Sequence, residues 1–139
     1  VTSDELKAKS DEREVTKDEL KAGGYQDLLV WQKGISLVKQ IYILTGEFPA
    51  DEKFGLTSQM RRAAVSIPSN IAEGQARHTT GEFIQFISYA EGSVAELNTQ
   101  LVIAIEPGYC AQSKANDSFG LIAELRKMLN ALRRAMQKQ

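Results

Sequence analysis

Large apolar residues recur at helical spacing from Tyr25 onward. Leu28, Trp31, Ile35, Val38 and Tyr42 are separated by steps of three and four, and so are Leu56, Met60, Ala63, Ile67 and Ile71. A longer series joins Phe83, Ile87, Ala90, Val94, Leu97, Leu101 and Ala104, and a fourth joins Ile122, Leu125, Leu129, Leu132 and Met136. Such steps keep side chains on one face of an α-helix, so each series predicts an amphipathic helix with one buried stripe. No stretch alternates with period two over strand length, and no strand is predicted. The pattern predicts an all-α fold: an up-down-up-down antiparallel four-helix bundle over 25–139, with helices near 25–45, 50–77, 80–106 and 116–137.

The boundaries have local causes. Gly46 and Pro49 stop the first helix. Thr79 and Glu82 form a capping box that starts the third near Thr80, and Pro107-Gly108 ends it near Glu106. Asn116 or Asp117 is the expected cap of the fourth. Pro68 falls inside the second, where it should kink the helix and free the Ala64 carbonyl.

Residues 1–24 form an arm of different composition, with seven acids, five bases and few large apolar residues. Val1 to Ala8 returns in altered form as Val15 to Ala22, each copy carrying a Thr followed three residues later by Glu. Each copy is expected to start a short helix, with Leu6 or Leu20 as its sole anchor, before Gly23-Gly24 breaks the chain.

A second, polar stripe runs along helix two through Gln59, Arg62, Ser66, Asn70, Glu73 and Arg77, and another along helix three through Glu82, Gln85, Tyr89, Ser93, Glu96 and Gln100. A hairpin turning near Thr79 sets Gln59 by Gln100, Arg62 by Glu96, Ser66 by Ser93, Asn70 by Tyr89 and Glu73 by Gln85. Every rung is polar and complementary. The ladder reads as a structural seam, inside the bundle or at a subunit contact, as two solvated faces, or as a ligand or catalytic site.

The net charge is −1, which announces neither a nucleic-acid nor a membrane binder. Charge is nonetheless segregated: no Lys or Arg lies between Arg77 and Lys114, whereas Lys114, Arg126, Lys127, Arg133, Arg134 and Lys138 follow against two acids. Mutual compensation of helices three and four is one reading. The other is a basic surface for RNA, DNA or an acidic partner, with Arg126, Lys127, Arg133 and Arg134 as contacts beside Arg61 and Arg77. No apolar run reaches the roughly 20 residues of a membrane span. Cys110 is the only cysteine, read as a half-buried apolar residue in a reducing, cytoplasmic setting. The chain starts at Val1 without a basic-then-apolar leader, which fits loss of a short piece.

Catalytic sets are missing from the sequence. His78 is the only histidine, so no Ser/His/Asp set, Glu-x-x-His pair or zinc cluster can be assembled, and no Gly-rich loop leads into Lys-Ser or Lys-Thr. No enzyme, no cofactor and no metal is expected.

Several segments carry a resemblance: Trp31-Gln32-Lys33, Phe48-Pro49, Phe54-Gly55-Leu56-Thr57-Ser58-Gln59 and above all the run from Arg61 to Gly74, RRAAVSIPSNIAEG. With Glu82-Phe83, Ala90-Glu91-Gly92-Ser93 and Glu96-Leu97, they resemble the four-helix bundle proteins encoded in bacterial 23S ribosomal RNA intervening sequences, over Tyr25 to Ala135. Pro107 stands where that family more often has Leu. The resemblance implies a bundle that assembles with itself into a ring, most simply a homopentamer. A related branch, the accessory variability protein of diversity-generating retroelements, is strongly basic and binds a reverse transcriptase and nucleic acid. The expected function is therefore a non-catalytic, homo-oligomeric adaptor for nucleic acid or a ribonucleoprotein, with RNA, DNA or a nucleic-acid enzyme as partner. The alternative is a protein–protein scaffold. The matching polar residues, Gln59, Arg62, Ser66, Asn70, Glu73, Arg77, Ser93 and Glu96, are largely those of the seam.

Overall fold

A computed structural model describes residues 24–138, and these are all-α. The arm repeat of residues 1–22 lies outside the described residues. A 3-10 turn at Tyr25–Asp27 leads into α1 (Leu29–Thr45), and a second at Ala50–Glu52 leads into α2 (Leu56–Gln75). Helices α3 (Thr80–Ile105) and α4 (Gln112–Gln137) follow. Helices α1 and α3 each pack on α2 and α4, and the α2–α3 contact is the most extensive. The four stripes meet in one core, in which Leu37, Met60, Ile67, Leu97 and Leu125 have no exposed surface. Each such side chain contributes roughly 1.5–3 kcal/mol by leaving water.

The α3 and α4 stripes are buried at every expected position, and so is the α2 stripe apart from half-buried Leu56. In α1 the expected stripe is corrected. The buried face runs through Val30, Gly34, Leu37, Ile41 and Leu44, whereas Leu28, Trp31, Ile35 and Val38 are half-buried and Tyr42 is exposed. Helix α1 is apolar around most of its circumference, so the three-four rule admits two stripes about 100° apart. The aromatic edge stays partly wet, with Trp31 tilted against Tyr25 at 5.5 Å.

Two starts also differ from expectation. Helix α2 begins at Leu56, not near residue 50, because the chain first turns Phe48 into the core beside Tyr109 (5.9 Å between ring centroids). The Glu52 carboxylate then accepts from the Leu56 N–H at 3.3 Å. Helix α4 begins at Gln112, a full turn before Asn116, and neither Asn116 nor Asp117 caps it. Instead, Asn116 Oδ1 accepts from Gln112 Nε2 at 3.0 Å. Buried Ala115 and Ser118 extend the inward stripe by that turn, and their small side chains are silent in a pattern of large residues.

Helix α3 has the expected ends. The Glu82 N–H donates to Thr79 Oγ1 at 3.1 Å. At the other end Gly108 has φ +83°, a left-handed conformation that glycine adopts without strain. There the Tyr109 N–H reaches back to the Ala104 carbonyl and the Gly108 N–H to that of Ile105, the paired bonds of a Schellman cap. Helix α2 runs unbroken through Pro68, which is buried against α1 at Gly34.

Cys110 is buried rather than half-buried, and burial pushes its thiol above the usual range. The folded protein should leave Cys110 unmodified by a thiol reagent at neutral pH and react fully in denaturant. The thiol's contribution to stability is complete while it is protonated in both states and declines as pH rises through its ordinary titration range.

Candidate nucleic-acid interface

Residues expected to act together on α2 are separated by the fold. Arg61 and Arg62 are sequence neighbours, about 100° apart on the helix. Arg61 points back at the end of α1: its Nε donates to Thr45 Oγ1 at 2.9 Å, and its Nη2 lies 3.4 Å from the Tyr42 carbonyl. The guanidinium also stands over the Tyr42 ring at 4.6 Å. A cation here meets a late carbonyl of α1 and complements the negative end of its dipole. Arg61 thus latches α1 to α2, so the expectation of a free contact residue is corrected. Arg61→Ala should cost about 1–2 kcal/mol in urea unfolding, and Arg61→Lys should recover little, because ammonium lacks the planar fork.

Arg62, expected to pair with Glu96, does not. Both residues are exposed, and among the described residues no ion pair joins them. Glu96 instead accepts from Gln100 Nε2 at 3.3 Å, on the same helix. Glu96→Ala should therefore shift stability by no more than about 0.5 kcal/mol, as at a solvated position, rather than by the cost of a broken buried rung.

One rung of the ladder closes as a hydrogen bond between helices. Ser66 Oγ and Ser93 Oγ are 2.6 Å apart, and Ser66 also meets the Ala63 carbonyl at 2.6 Å. A hydroxyl has one proton, so Ser66 donates to the carbonyl and Ser93 donates to Ser66. The other rungs separate. Asn70 Nδ2 donates to the Ser66 carbonyl at 2.8 Å, and Tyr89 Oη accepts from Gln85 Nε2 at 2.7 Å. Gln59 and Glu73 are exposed, whereas Gln100 is buried with its Oε1 unpartnered.

The basic residues of α4 also divide. Arg133 grips Glu91 of α3 through Nε at 3.0 Å and Nη2 at 3.4 Å, and reaches Asn130 Oδ1 at 2.6 Å. The pair is only 29% and 25% exposed, so Arg133 is a tie between helices and not a free contact. Arg126, Lys127 and Arg134 are exposed. Arg77 lies over the Phe86 ring at 4.8 Å, at the C-terminal end of α2.

What gathers instead is a groove of about 560 Å³ where the α1 end, the loop before α2 and the outer face of α2 meet. Tyr42, Lys53, Phe54, Thr57, Ser58, Arg61, Arg62, Val65 and Ser66 line it. Three lining residues are cationic, none is acidic, and Tyr42, Phe54 and Val65 are large apolar groups left in contact with water. The adjacent Glu52 carboxylate is turned to the start of α2. Tyr42, Lys53, Phe54 and Val65 were not predicted as site residues. Phe54 carries a slight sequence signal, an aromatic between Lys53 and Gly55 outside any helical stripe, while Tyr42 belongs to the stripe expected to be buried in α1.

The family model for the 23S rRNA-intervening sequence protein matches residues 26–131. The chain belongs to that family. A search of curated proteins gives no match. Every groove residue lies within the matched segment, whereas Arg133 and Arg134 lie beyond it.

Proposed function

We propose that this family member is a non-catalytic, homo-oligomeric adaptor for nucleic acid or a ribonucleoprotein, and that the α1–α2 groove is its contact surface. The observation that carries the reading is the concentration of Lys53, Arg61 and Arg62 in one concavity without a lining carboxylate, on a chain whose net charge is −1. A local field of one sign attracts a polyanion even where global charge does not. Exposed Arg126, Lys127 and Arg134 on α4 form a secondary basic surface, and Arg77 lies at the far end of α2. The non-catalytic part rests on the sequence, with one His and one Cys. No helix of the described residues is long and apolar enough to cross a membrane, and the lone cysteine fits a bacterial cytoplasm.

The connectivity is an up-down-up-down antiparallel bundle. Cross-helix partners support it: Ser66 meets Ser93 while Gly74 lies against Phe86, so residue numbers fall along α3 as they rise along α2. Assembly into a ring, most simply a homopentamer, follows from the family resemblance. A scaffold for proteins is the second reading, favoured by Ile43 at 75% exposure and by half-exposed Val102 and Ile103 on α3.

Binding of the untagged, light-scattering-sized protein to structured RNA and duplex DNA across a salt series tests the adaptor. Micromolar or tighter affinity that weakens steeply with salt is expected. No binding even at low salt would move the function to the scaffold.

A further inference from the structure

We propose that the α1–α2 groove takes a single-stranded nucleic acid, with an unpaired base stacked on Phe54 and its flanking phosphates on Lys53 and Arg62. This rests on the adaptor reading and names the form of its ligand. Phe54 is 89% exposed, the most exposed large apolar side chain among the described residues, and it lines a concavity together with three cations. The Lys53 ammonium lies 5.6 Å from the ring centroid, so ring and charge are presented together. The support of this ring is fixed. The Lys53 N–H donates to the Ala50 carbonyl, the Gly55 N–H to that of Glu52, and the Glu52 carboxylate holds the start of α2. An exposed aromatic ring carried on a hydrogen-bonded turn beside cations is the arrangement that binds single strands, since every base has a π-face while the backbone supplies the charge. A duplex keeps its bases stacked and paired, so it offers phosphates to the groove but nothing to the ring. Arg62, with no ion-pair partner among the described residues, is the phosphate contact, while Arg61 holds the groove wall to α1.

The test is fluorescence anisotropy with labelled 12-mers of oligo-uridine and oligo-thymidine and a mixed-sequence duplex of equal length, on the full chain and its Phe54→Ala and Arg62→Glu variants. Light scattering and thermal melting of each accompany it. Phe54 touches little, so the variant should melt like the parent. Tighter binding of the single strands than of the duplex is expected, of either sugar. Phe54→Ala should weaken single-strand binding about fivefold or more and leave the duplex nearly unchanged. Arg62→Glu should weaken both and flatten their salt dependence. Single-strand binding that Phe54→Ala leaves intact would overturn the inference. So would a duplex preference, which leaves the adaptor reading standing, whereas no binding of any strand at low salt would remove both. A Phe54→Ala variant that changes oligomeric mass would assign the groove to a second copy of the chain and also overturn it.

Discussion

Gly74→Ala should destabilise the bundle by about 2 kcal/mol, measured as a shift in urea midpoint at unchanged slope. A Cβ at Gly74 would stand 2.7 Å from Phe86 Cβ and 3.0 Å from Phe83 Cδ1. The first of these atoms is bonded to the α3 backbone and cannot rotate away, so α2 and α3 must part at this contact. Overpacking of this kind costs up to roughly 3 kcal/mol, and alanine's better helix propensity returns about 1. Gly92→Ala is the control. A Cβ there meets nothing within 4 Å, so propensity alone acts and the variant should gain about 0.5–1 kcal/mol.

The largest functional effect is expected from reversing the two groove cations that have no structural task. Lys53→Glu combined with Arg62→Glu should lower affinity for nucleic acid at least about tenfold near physiological salt and reduce the slope of log affinity against log salt by about 2. Reversal of Arg126 and Arg134 on α4 should cost less than the groove pair. Arg133 is unsuited to such a test: it holds Glu91, so its reversal would strand a half-buried carboxylate and confuse binding with folding. Equal losses from the groove and α4 pairs would mean that the whole surface field, not the groove, attracts the ligand.

Apolar spacing made α3 and α4 legible because the longest unbroken series of three- and four-residue steps in each coincides with its buried face. It misled in α1, where Leu37 and Trp31 satisfy the same rule on different faces. It also missed the first turn of α4, whose inward residues Ala115 and Ser118 are small. The caps of α3 were legible because they are made by neighbours in sequence. Polar spacing found Ser66–Ser93, since equal rise on two helices fixes that register. It could not decide between Arg61 and Arg62. Adjacent residues point to different flanks of one helix, and which flank meets α1 depends on packing. The groove itself joins a helix end, a loop and a second helix, and no period runs through such a junction.

The most direct test of the groove as the nucleic-acid contact is photo-cross-linking of bound oligo-uridine to the wild-type protein, followed by mapping of the modified peptide. The predicted attachment lies between Lys53 and Arg62, at Phe54 or its immediate neighbours. Attachment confined to the Arg126–Arg134 segment, or none at saturating strand, would contradict it.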